Sequence, residues 1–209
     1  MTKQLAFYFD SSACGNCKAC QVACQDKNGL PSYLRWRRVV QYAGGSWAPS
    51  PHHPYVQIPN IFSYSVSLSC MHCEKPACVE VCPAAAITKR EDGIVLVDQD
   101  KCIGCRYCEW ACPYGAPQFD EKSKVMSKCT FCEDLLAQGK NPACVDACVM
   151  RCIHFGELDE LREKFGDVTA VAPLPSGDIT HPSFVLTPHQ NAQPSDVNTG
   201  KLLNLPEEV

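Results

Sequence analysis

The chain has 209 residues, 45% of them hydrophobic, with a formal net charge of −4. That balance gives no case for nucleic acid, which calls for a basic surface, and the length allows one domain or two small ones. The seventeen cysteines are near the density that signals disulfides or metals, and their odd number argues against a fully paired disulfide set.

The first residues, "MTKQLAFYFDSSAC", contain an apolar stretch too short for a signal-peptide core. Arg37 and Arg38 lie too far in, with no apolar segment after them, to form a twin-arginine export signal. No run approaches the roughly 20 apolar residues of a membrane helix. The expectation is a chain without its own export address or anchor, carried to its place by a partner.

Four cysteine groups follow in order. Cys14, Cys17, Cys20 and Cys24 are spaced C-x2-C-x2-C-x3-C, and Cys102, Cys105, Cys108 and Cys112 repeat that spacing. Between them, Cys70, Cys73, Cys78 and Cys82 read C-x2-C-x4-C-x3-C; Cys129, Cys132, Cys144 and Cys148 read C-x2-C-x11-C-x3-C. Every group ends in C-x3-C, an internal repeat. Thiols two residues apart cannot pair without strain, and structural zinc normally combines two separated pairs. Three thiols in one tight loop, with a fourth about a turn further along a short helix and facing away, suit a cuboidal iron–sulfur cluster instead.

In two-cluster ferredoxins the fourth cysteine ligates the other cluster. The same crossing gives one cluster to Cys70, Cys73, Cys78 and Cys112, and another to Cys102, Cys105, Cys108 and Cys82. By elimination Cys14, Cys17, Cys20 and Cys148 hold a third, and Cys129, Cys132, Cys144 and Cys24 a fourth. Sixteen thiolates around four oxidised clusters would bring the net charge to about −12.

Residues 31–69 read as a β-rich insert with strands at "RRVVQY" and "FSYSVSLS". Within it Arg35, Arg37 and Arg38 read as alternating exposed cations on a strand with a stacked Trp36, and His52 and His53 in "APSPHHP" suggest no metal site. His72 reads as a loop residue between ligands. A hairpin with its turn near Asp92-Gly93 joins the second and third groups, where Lys101 and Arg106 either favour a reduced cluster or are salt-bridged. "ELDELREKF" at 157–165 reads as a short amphipathic helix. From Val168 onward prolines recur without periodicity, and the tail is expected to lie extended over a partner.

The order of the groups, with the long C-x11-C in the last, resembles the four-cluster ferredoxin subunits of molybdopterin oxidoreductases. "FYFDSSAC", "YAGGSW", "CIGCRYC", "CPYGAPQ" and "VAPLP" narrow the resemblance to the dimethyl sulfoxide reductase branch, over essentially the whole chain. It implies a non-catalytic electron wire of four 4Fe-4S clusters. A quinol-oxidising integral membrane anchor would feed it, and a molybdopterin-containing catalytic subunit would receive its electrons, in a heterotrimer. It further implies a peripheral position on the bacterial inner membrane through these partners. Nitrate reductase relatives replace the second cysteine of the third group with tryptophan; Cys105 is present here, so four cubane clusters are expected. Two departures are Val149 after Cys148, where proline is usual, and Cys152, where a small residue is usual.

The expected fold is α+β: an outer split ferredoxin-like unit (1–30 and 123–167), the insert (31–69), an inner ferredoxin-like unit (70–122), and a partner-docking tail (168–209). Related tetrathionate, polysulfide, N-oxide or selenate reductases, and a self-contained iron–sulfur enzyme or maturation factor, stay open as alternatives. The absence of a nucleotide-binding Gly loop, a flavin motif or a nucleophile arrangement counts against the last two.

Overall fold

A computed structural model describes residues 3–46, 48–49, 56–57, 61–197 and 199–204 of the chain. Trp47, His52 and His53 lie outside the described residues. The architecture is mixed, with short helices set among small sheets. Strand β1 (Leu5–Asp10) leads into the first cysteine loop and helix α1 (Ala19–Lys27). Strands β2 (Arg38–Gly44), β3 (Ala48–Pro49), β4 (Val56–Gln57) and β5 (Phe62–Leu68) form the insert. Next come α2 (Ala77–Glu80), β6 (Ile87–Lys89), β7 (Val95–Val97) and α3 (Tyr107–Ala111). Then follow β8 (Gln118–Phe119), β9 (Met126–Ser127), α4 (Glu133–Leu136) and α5 (Ala143–Asp146). The chain closes with β10 (Ile153–Glu157), α6 (Leu158–Phe165), β11 (Phe184–Thr187) and β12 (Gly200–Leu202).

Two three-stranded sheets organise these elements, in the orders β10-β1-β11 and β12-β2-β5. In the first, β1 runs antiparallel to β10, with Leu5 opposite Glu157, and parallel to β11, with Phe7 opposite Phe184. Both faces of β1 are covered, so "LAFYFD" shows no polar alternation. Ala6 and Tyr8 pack with Leu158 and Leu161 of α6, while Phe7 and Phe9 face the main core. Leu158 and Leu161, three residues apart, form the buried stripe of that helix, and Gly166 in a positive-φ conformation ends it. The hairpin β6–β7 turns through Gly93, whose φ is +83°, as the Asp-Gly pair predicts.

Part of the tail is built into the fold. It supplies β11 to the first sheet and β12 to the second, pairing Gly200 with Gly44. Val185 and Leu186 are fully buried, and Tyr64 Oη donates to the Ala172 carbonyl at 2.6 Å. A four-residue apolar run buried on both faces is a strand without alternation, and among prolines it leaves no periodic signal. Among the described residues, no helix is long and apolar enough to cross a membrane.

Candidate metal centres

Each cysteine group begins with the same backbone device. The third residue of every C-x2-C turn has a positive φ: Asn16 at 56°, His72 at 42°, Gly104 at 67° and Phe131 at 61°. This left-handed step turns the chain back so that both thiols of the turn face one space. Only Gly104 is sterically obliged, because a Cβ there would sit 2.3 Å from the Lys124 carbonyl. A second device follows the last cysteine. Ala85, Gly115 and Arg151, each three residues on, again have positive φ. The next backbone N–H then points back at sulfur: Ala86 to Cys82 at 3.3 Å, Ala116 to Cys112 at 3.5 Å, Cys152 to Cys148 at 3.3 Å. After Cys24 the helix continues, and the Asn28 side-chain amide takes over at 3.7 Å. Donors aimed at sulfur favour the thiolate, which is the ligand form.

The thiols gather across loops rather than within them. Cys70, Cys73, Cys78 and Cys112 interact with one another. Cys108 interacts with Cys102, Cys105 and Cys82, and these four line one recess with Ile87 and Met126. Cys14, Cys17, Cys20 and Cys148 line another. Cys24 faces Cys144 and Cys132, and Cys129 faces Cys24 and Cys144. The helices that carry these thiols pack in two pairs, α1 on α5 and α2 on α3. Burial pushes the thiols of Cys24, Cys73 and Cys78 up to about 12 and that of Cys108 to about 11, so ligation must displace protons.

Cys152 is a fifth thiol at the first recess. Its Sγ lies 3.4 Å from that of Cys148, and a hydrogen bond from it draws the Cys14 thiol down to about 7. Lys101 and Arg106, in contrast, are exposed and paired with Asp98 and Glu109 at 2.8 and 2.7 Å.

Four inward-facing polar residues were not read as such from the sequence. Arg37 is not an exposed strand cation: it precedes β2, is 2% exposed, and donates to Ser67 Oγ and Ser69 Oγ at 3.0 Å each. Arg38 also turns inward, donating to the Tyr114 carbonyl at 2.8 Å. Lys128 is equally buried and donates to the carbonyls of Val95 and Cys129. His72 is buried, with Nδ1 accepting the Val95 N–H at 3.0 Å. Burial, aided by Lys128 and Arg37, holds its ring neutral, which leaves its proton on Nε2 without a protein acceptor among the described residues.

These residues test whether an iron–sulfur group fits. Arg37 and Lys128 are buried cations, and no carboxylate is buried among the described residues. Interior positive charge requires an anionic neighbour, and thiolates on an iron–sulfur group supply it. Among the described residues no three His, Cys, Asp or Glu side chains converge closely enough for one metal ion, as tetrahedral zinc requires. The donor set is all thiol, the surroundings are apolar and cationic, and the fit is to a polynuclear cluster. This defines an iron–sulfur protein.

Residues 61–158 match the family described as a 4Fe-4S dicluster domain. The chain is 50% identical over 209 residues to the B subunit of the anaerobic dimethyl sulfoxide reductase of Escherichia coli strain K12, covering the whole of both. It is 45% identical over 207 residues to the B subunit from Haemophilus influenzae, covering 99% of this chain and all of the other. With the B subunit of the polysulfide reductase of Wolinella succinogenes the identity is 35% over 197 residues, 91% of this chain and 97% of the other. The chain belongs to the family of B subunits of anaerobic dimethyl sulfoxide reductases, which are iron–sulfur electron-transfer subunits.

Proposed function

We propose that the chain relays electrons through four 4Fe-4S clusters from a menaquinol-oxidising membrane anchor to a molybdopterin-bearing catalytic subunit of the dimethyl sulfoxide reductase type. The ligand sets are Cys14, Cys17, Cys20 and Cys148; Cys24, Cys129, Cys132 and Cys144; Cys70, Cys73, Cys78 and Cys112; and Cys82, Cys102, Cys105 and Cys108. Two ferredoxin-like units hold them, the inner one nested within the outer. The chain carries electrons only; substrate chemistry and the choice of terminal acceptor belong to the catalytic partner.

One observation carries this reading: neighbouring thiol sets adjoin one another. Cys129 of the second set interacts with Cys70 of the third, and the α2–α3 pair joins the third to the fourth. A cluster in each set would make a continuous path through the molecule. Its ends are flanked by bare apolar side chains, Val22, Val149 and Met150 beside the first set and Ile103, Tyr107 and Trp110 around the fourth. Such groupings suit one partner at each end, which supports reading the chain as part of a heterotrimer peripheral to the inner membrane.

The test is metal analysis of the complex purified anaerobically. We expect about sixteen iron and sixteen acid-labile sulfides per chain, with visible absorption that bleaches under dithionite. About eight of each, or zinc in their place, would refute the four-cluster assignment.

A further inference from the structure

The guanidinium of Arg37 stands between the first and second thiol sets. Its charge acts most on Cys144, then on Cys20, Cys129 and Cys24. Burial opposes that charge, and the thiols together more than offset the opposition. Toward the first set the contact is relayed. Ser67 Oγ accepts from Arg37 Nη1 at 3.0 Å and lies 3.5 Å from Cys20 Sγ, so its own proton is free for that sulfur. Ser69 and the Phe7 ring, whose centroid lies 4.7 Å from the guanidinium carbon, hold the group in place.

A cation held in an apolar interior beside thiolate ligands stabilises a reduced, more negative cluster over the oxidised one. We propose that Arg37 sets the reduction potential of the cluster held by Cys24, Cys129, Cys132 and Cys144, raising it directly, and that by its charge and through Ser67 it raises that of the cluster held by Cys14, Cys17, Cys20 and Cys148 to a smaller extent. The two outer clusters thereby share one fixed charge.

This rests on the four-cluster reading, whose failure would appear as an iron shortfall in the unsubstituted complex. The experiment is a redox titration of the intact complex followed by electron paramagnetic resonance. Arg37→Gln should lower the reduced-to-oxidised ratio of the second cluster at fixed potential at least about tenfold, equivalent to about 59 mV for a one-electron couple. Arg37→Lys, which keeps the charge, should stay within about threefold, and Ser67→Ala should lower the first cluster alone. An Arg37→Gln complex with full iron and an unmoved second midpoint would overturn the proposal, as would a Lys variant that shifts as far as the Gln variant. Should Arg37→Gln lose its iron, Arg37→Lys decides. Full iron with the small shift supports the proposal, and iron loss there would mean that the shape of Arg37, not its charge, is what matters.

Discussion

The inner and outer thiol regions use the same local devices but are closed in opposite ways. The inner cysteines lie within one continuous stretch, Cys70 to Cys112, joined by the local hairpin β6–β7. The outer ones come from positions 14–24 and 129–148, where α1 packs on α5 and β1 pairs with β10 on one side and β11 on the other. The inner region is joined by this short-range hairpin, although the tail also reaches its first loop, where the Glu74 and Lys75 N–H groups donate to the His181 and Thr180 carbonyls at 2.7 and 3.1 Å. The outer region depends on strands from both ends of the chain. Two units with one chemistry thus have different vulnerabilities.

The largest effect should come from deleting residues 168–209. The loss removes Phe184, Val185 and Leu186 from the first sheet, about 2 kcal/mol each. Iron should fall to about half or below, lost first from the outer sets, because the tail also hydrogen-bonds the loop of residues 70–78 through Thr180, His181 and Ser183. Full iron in the truncated chain would show that β11 does not hold the outer region.

Ligand crossing within the inner region gives the next effect. Cys112→Ser should alter the cluster of Cys70, Cys73 and Cys78, and Cys105→Ser a different one, in paramagnetic resonance spectra of variants that keep most of their iron. Loss of one and the same signal in both variants would assign Cys112 to its own loop.

In the outer region, Cys148→Ser should perturb the first cluster, whereas Cys152→Ser should leave iron content unchanged. The reverse result would make Cys152 the ligand. The smallest effect contrasts the two matching turns. Gly104→Ala should cost on the order of 1–3 kcal/mol in thermal or denaturant unfolding, because of its positive φ and the nearby Lys124 carbonyl. Asn16→Gly, which relieves the same backbone strain, should lie within about 0.5 kcal/mol of the parent. Equal costs at the two turns would mean that the repeat is matched in strain as well as in shape.

The sequence made the repeating elements legible, because cysteine spacing, the Asp92-Gly93 turn and the Leu158–Leu161 stripe are local patterns. What it hid depends on distant residues. "RWRRVV" reads as a solvated strand, since arginine is rarely buried alone; only when thiols at 20, 24, 129 and 144 come together around Arg37 does an interior charge become stable there. A signal was present, in that sixteen thiolates in a small chain call for cations near them. The Lys128–Cys129 adjacency was the plainest instance. "FVLT" among prolines gave no period to read, and its partner strand lies at the opposite end of the sequence.

The parallel pairing of β11 with β1 also has a consequence for synthesis. A ribosome exposes all four cysteine groups before Phe184–Thr187 emerges, so neither the outer sheet nor the contacts of residues 180–183 with the loop of residues 70–78 can form until the tail is made. Termination after Cys148 and before position 184 would then yield a product with every cysteine group present but β1 unpaired on one side. Such a product is conspicuous to proteolysis, because it leaves Phe7 and Tyr8 without their neighbouring strand. Completion of β11 thus doubles as a check that the cysteine-bearing part of the chain has been made.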